Sequence, residues 1–166
     1  EQASVVHTET TENIVAEKAE TADADWIEQL IKKVENSTES VLLLFTTNAC
    51  EDCESVKQWI AEQGMSLECT ILEANIIEED CLNALKAVFQ QYEVPEEEQK
   101  VPAAFYGSQY VIQKDNIIQI QKEDLHIEQN NEEMIQMLSA VQKRLDEGME
   151  LEKMNILTLA GAGLLA

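Results

Sequence analysis

A three-layer α/β/α sandwich around a mixed sheet of about four strands is the fold class this sequence predicts, and three observations carry it. Val41-Leu42-Leu43-Leu44-Phe45 is a continuous apolar run of strand length, as a central strand covered on both faces requires. Segments with apolar residues every three to four positions precede it, follow it and close the ordered part, which is the period of helices. Ala103–Tyr106 and Gln109–Ile112 flank Gly107-Ser108, a hairpin signal. The resulting order is α-β-α-β-α-β-β-α. Its β-α-β start needs a right-handed crossover, so those two strands lie parallel. The terminal hairpin adds antiparallel strands, and the helices are numerous enough to cover both faces.

Each element has its own justification. A helix is expected to open at Asp25, with Glu28 in capping-box spacing and Trp26, Ile27, Leu30, Ile31 and Val34 on one stripe. Thr46-Thr47-Asn48 ends the apolar strand and supplies N-cap candidates for a helix whose Cys53, Val56 and Ile60 share a face and which stops near Gly64. Met65, Leu67, Cys69 and Ile71 alternate with Ser66, Glu68 and Thr70, the pattern of a half-buried strand. A helix from about Glu79 to Tyr92 turns Leu82, Leu85 and Phe89 inward. Residues 113–129 carry no decisive period. The last helix, from about Asn131, buries Met134, Met137, Leu138, Val141 and Leu145, carries Lys143 and Arg144 at its end and is stopped by Gly148.

A chain of 166 residues holds one ordinary domain with tails. Its 33 acids against 11 bases leave a formal charge of −22, which argues against nucleic acid or an anionic membrane surface as a partner. Residues 1–24 read as an acidic, flexible linker without apolar period. The chain begins at Glu1, as expected of a trimmed chain or one whose signal peptide has been removed. Residues 25–148 form the domain. Residues 149–166 are a tail whose last 13 positions, from Met154, carry no charge. A bilayer core needs about 20 helical residues, so this segment is expected to be the start of a transmembrane helix; a short apolar helix packed on a protein surface is the other reading.

The chemistry of the chain lies in Cys50-Glu51-Asp52-Cys53, just after the apolar strand and at the first turn of a helix. Free N–H groups and the positive end of a helix favour a thiolate, and the thiolate is the nucleophile of disulfide exchange. The spacing lets the two sulfurs meet while leaving the first exposed to attack. A CxxC at a strand-to-helix junction inside a βαβ unit is a strong redox signal. The competing reading is zinc, which wants four ligands, usually as two such pairs. Here Cys69 and Cys81 stand singly on inward faces, His7 is in the linker, and His126 is isolated. Cys69 and Cys81 read as core residues, with a disulfide between them as the alternative in an oxidising compartment. No cofactor is expected.

Val41–Phe45, then Cys50-Glu51-Asp52-Cys53, then Val101-Pro102-Ala103-Ala104-Phe105 resemble the thioredoxin/glutaredoxin superfamily over roughly residues 39–145. The resemblance implies Cys50 as attacking thiol, Cys53 as resolving thiol, and Val101 with a cis Pro102 as the turn that binds the substrate strand. The chain departs from thioredoxin proper at Ala49, where a Trp would stand, at Glu51-Asp52 in place of Gly-Pro, and at Leu44 in place of a buried Asp. These departures argue against the substrates of a general thioredoxin. The succession of acidic linker, domain and apolar tail also resembles fusions of such domains to cytochrome c biogenesis-type transmembrane electron carriers. That likeness implies an extracytoplasmic, membrane-anchored dithiol that takes electrons from a membrane partner.

The expected function is therefore thiol–disulfide exchange between Cys50/Cys53 and protein disulfides, as reductant or electron relay. Glu51 and Asp52 place two negative charges beside the dithiol, and Val41–Ser55 contains no base; Lys57 is the nearest. Like charges disfavour a further anion, which points to a reductant. The alternative from another class is a non-catalytic module of the same fold that holds a peptide at Pro102.

Overall fold

The computed structural model of the chain describes residues 23–147. The acidic linker, save its last two positions, together with Gly148 and the apolar tail, lies outside the described residues. Helix α1 (Asp23–Glu35) begins two residues ahead of the expected opening at Asp25. Strand β1 (Val41–Thr46) is buried along its whole length and leads into α2 (Glu51–Gln63). A 3-10 turn (Gly64–Leu67), β2 (Thr70–Asn75) and α3 (Glu79–Gln91) follow. A second 3-10 turn (Glu96–Glu98) precedes the hairpin β3 (Ala103–Tyr106) and β4 (Gln109–Ile112). The stretch without a clear period contains two single-turn helices, α4 (Lys114–Ile117) and α5 (Lys122–Leu125), and α6 (Asn130–Asp146) closes the described part.

The sheet order is β2-β1-β3-β4. β1 pairs parallel with β2, from Val41 opposite Thr70 to Thr46 opposite Asn75, and antiparallel with β3. Side chains alternate across β1, so Val41, Leu43 and Phe45 face one layer and Leu42 and Leu44 the other. The first layer is Trp26, Leu30, Leu85, Phe89, Leu138 and their neighbours on α1, α3 and α6. The second is Val56 of α2 with Leu67, Ile117, Ile120 and Leu125. This is the expected α/β/α sandwich with a mixed four-stranded sheet, thioredoxin-like in its arrangement. Phe105 sits at the centre of an aromatic group, edge-on to Phe45 at 5.9 Å and 4.9 Å from Tyr92. Each large side chain buried there contributes about 1.5–3 kcal/mol.

The strand expected around Met65–Ile71 is displaced. Residues 64–67 are a 3-10 turn, Met65 is 60% exposed, and the strand starts only at Thr70. The reason is register: pairing with β1 begins at Thr70 opposite Val41, and Glu68 with φ of 54° turns the chain into that alignment. Nor does Gly64 end α2 in a left-handed cap, since its φ of −57° is helical and continues into the 3-10 turn. In α3 the inward side chains are Cys81, Ala84, Leu85, Val88 and Phe89, with Leu82 half-buried. Met137 and Leu145 of α6 are likewise only partly buried. No helix among the described residues is long and apolar enough to cross a membrane.

Candidate active site: a dithiol at a strand-to-helix junction

β1 delivers the chain to one end of the sheet, where Thr46-Thr47-Asn48-Ala49 turns it into α2. Two contacts hold the turn on its neighbour: Asn75 Nδ2 donates to Asn48 Oδ1 at 2.7 Å, and the Ile76 N–H donates to the Thr46 carbonyl at 2.9 Å. Ala49 takes φ of 53°, a left-handed conformation that costs an alanine about 1–2 kcal/mol. Strain of this kind persists only where the surroundings over-determine it. Immediately after it, Cys50 is the N-cap of α2.

Cys50 Sγ accepts the backbone N–H of Cys53 at 3.1 Å, capping a helix donor that would otherwise lack a partner. Its side chain therefore folds back over the helix start and joins the apolar cluster of the α1/α3/α6 layer. The expectation of an exposed first sulfur needs correction: Cys50 is 5% exposed and Cys53 is 0% exposed. The ranking of the pair stands, because only Cys50 reaches solvent at all. Cys53 and Val56, three residues apart, are the buried residues of α2, with Ile60 half-buried on the same face as expected; Cys53 packs with the α1/α3/α6 cluster and Val56 with the other.

Burial pushes the Cys53 thiol well above its ordinary range, and the hydrogen bond with the Cys50 side chain adds to the shift. Two groups oppose it, the Thr47 backbone hydrogen bond and the positive charge of Lys57. Lys57 is half-buried on α2, 3.3 Å from Glu73 Oε2 on β2 and 3.7 Å from Glu54 Oε2. Glu73 in turn accepts from Thr46 Oγ1 at 3.0 Å. Glu51 and Asp52 are both exposed.

Val101 and Pro102 are buried, and the peptide between them is cis. They precede Ala103, which pairs with Phe45, so they arrive at the same end of the sheet from which β1 runs on to Cys50. Val101 belongs to the same buried cluster as both cysteines. The Gln113 N–H donates to the Pro102 carbonyl at 2.9 Å, fixing this segment to the end of β4. A concavity of about 520 Å³ borders the segment, lined by Glu97, Glu98, Lys100, Tyr110, Ile112 and Gln113, but neither cysteine lines it.

The remaining candidates separate. Cys69 lies in the layer under α2 and Cys81 in the opposite layer, so the sheet stands between them and a disulfide has no route. Cys69 also lies across the sheet from Cys50 and Cys53, so the four cysteines do not form one ligand set. The His126 ring Nε2 lies 2.9 Å from the Leu67 carbonyl. Sequence reasoning offers Thr47 only as an N-cap candidate, a place that Cys50 takes instead, and does not single out Glu73. Lys57 was legible as the nearest base, but its partner on β2 was not.

The chain is thus an α/β sandwich with a cysteine pair at the N-terminus of a helix. Compared with family models, curated proteins and solved structures, it matches none.

Proposed function

We propose that the protein is a thiol–disulfide oxidoreductase, exchanging the Cys50/Cys53 dithiol with protein disulfides as a reductant or electron relay. The observation that carries this reading is the Cys50 sulfur at the N-cap of α2, accepting the Cys53 N–H at 3.1 Å, with the second thiol wholly buried beneath it. A sulfur in that place has a backbone donor and a helix N-terminus aimed at it, the environment that makes a thiol a nucleophile. Cys50 attacks a substrate disulfide and forms a mixed disulfide. Cys53 then attacks Cys50 and releases the substrate as a thiol. Val101-Pro102, arriving at the same end of the sheet, is the backbone against which the substrate strand lies. A dithiol donor, in this reading a membrane electron carrier on the extracytoplasmic side, returns the pair to its reduced form.

Insulin reduction with dithiothreitol as donor tests the proposal. Turnover that disappears in Cys50→Ser is expected. Absence of turnover in the wild type, with peptide affinity retained in Cys50→Ser, would instead identify a binding module.

A further inference from the structure

Thr47 is the first residue after β1, and it is 0% exposed. Its Oγ1 is buried and has no hydrogen-bond partner among the described residues. Native folds seldom leave a buried hydroxyl unpaired, because the group has given up water for nothing. Valine would fill the same volume without that cost. The position of the residue suggests what the hydroxyl is for: the Thr47 backbone already hydrogen-bonds the Cys53 sulfur. A threonine hydroxyl is only three bonds from its own backbone nitrogen, which puts the buried, unpartnered Oγ1 in the neighbourhood of the same sulfur. The other groups acting on that sulfur are the Cys50 thiol and the Lys57 ammonium, while Glu51, Asp52 and Glu54 are exposed on the first turn of α2.

We infer that the Thr47 hydroxyl is held in reserve as a hydrogen-bond donor to the Cys53 sulfur, engaged when that sulfur becomes the nucleophile of the resolving step. The inference rests on the thiol–disulfide reading. In that step Cys53 gives its proton to solvent, and its sulfur forms a bond to Cys50 Sγ. The bond between Cys50 and the substrate sulfur breaks, and the substrate leaves as a thiolate that takes up a proton from solvent. Two electrons have then passed from the dithiol to the substrate disulfide. Negative charge on Cys53 exists only between proton loss and bond formation, in a site that burial makes hostile to it. A hydroxyl that has no partner in the resting thiol and gains one in the thiolate stabilises that moment alone.

The test uses the reduced full chain and one equivalent of dithiobis(nitrobenzoate), whose two coloured thiols leave in separate phases. Attack by Cys50 releases the first, and attack by Cys53 on the mixed disulfide releases the second. Thr47→Val is expected to keep the first phase within about twofold and to slow the second about tenfold or more, the loss of a hydrogen bond to a charged group. Thr47→Ser is expected to return the second phase to within about threefold. The equilibrium with glutathione is expected to stay within about twofold, because the resting states are neutral thiol and disulfide. If Thr47→Val does not fold, Thr47→Ala against Thr47→Ser makes the same comparison at smaller volume. An unchanged second phase, equal slowing of both phases, or failure of serine to rescue overturns the inference. A wild type that shows both phases yet reduces no insulin overturns the protein-disulfide reading and leaves the role of Thr47 standing.

Discussion

Lys57 and Glu73 meet at 3.3 Å between α2 and β2, which ties the base nearest the dithiol in sequence to the strand beside β1. Leu44, the neighbour of Glu73 in the β1–β2 register, is apolar, so the carboxylate on this side of the sheet comes from β2 rather than β1. Lys57→Met removes a charge that favours the Cys53 thiolate. Alkylation of Cys53 is expected to shift to higher pH in that variant, read by mass spectrometry of the labelled peptides. A shift to lower pH would remove Lys57 from the electrostatics of the site.

Cys50 is expected to be the first thiol labelled near neutral pH, since it alone of the pair reaches solvent while burial keeps Cys53 a neutral thiol. Iodoacetamide mapping of the reduced protein reads this directly. In Cys53→Ser the resolving attack is missing, and a mixed disulfide through Cys50 is expected to accumulate. Faster labelling of Cys53 or Cys81 would contradict the assignment.

The redox poise is expected nearer the thioredoxin end, about −270 mV, than the strongly oxidising end, about −120 mV. A strongly oxidising pair owes its potential to an unusually stabilised reduced thiolate, and Glu51 and Asp52 oppose one. Both are exposed, so water and salt weaken their effect. Glu51→Lys with Asp52→His is expected to move the protein toward oxidant behaviour. Equilibration of the wild type against glutathione giving a value above about −180 mV, that of a disulfide isomerase, would show that the acids do not set the poise.

Cys69 and Cys81 are expected to survive oxidation as free thiols, countable after denaturation, because opposite layers hold them. Burial pushes the Cys69 thiol up from its ordinary value of 9.0 to about 12. An acid whose folded value is raised favours the folded state below its unfolded value and loses that contribution as pH climbs toward the folded one. Denaturant stability is therefore expected to fall above about pH 9, with Cys53 and Tyr92, both raised by burial, adding to the slope. Cys69→Ala is expected to flatten the decline. A slope unchanged by the substitution would count against it.

Gly107 turns the β3–β4 hairpin with φ of 58°, and its carbonyl accepts the Tyr92 hydroxyl at 2.7 Å. A Cβ at this position would stand 2.7 Å from Oδ1 of the buried Asn130 at the start of α6. Gly107→Ala is expected to cost at least about 1 kcal/mol from the left-handed backbone, and more because Asn130 must shift. Urea titration measures it; an unchanged midpoint would mean that the hairpin relaxes at no cost.

The residue pattern by itself determined the layering and the place of the dithiol. Val41–Phe45 is apolar without interruption, so it had to be covered on both faces, and a Gly107-Ser108 turn between two short runs had to be a hairpin. Such signals are local, carried by neighbours along the chain. Tertiary structure alone decided three things. Met65–Ile71 alternates like a strand, but pairing with β1 begins at Thr70, because register depends on the partner strand and not on the alternation itself. The Cys50 sulfur is nearly covered, because capping the Cys53 N–H draws it back into the core. Thr47 acts on the Cys53 sulfur through its backbone, and Glu73 holds Lys57, the base that acts on the same sulfur, because such contacts depend on distance in space, which folding sets.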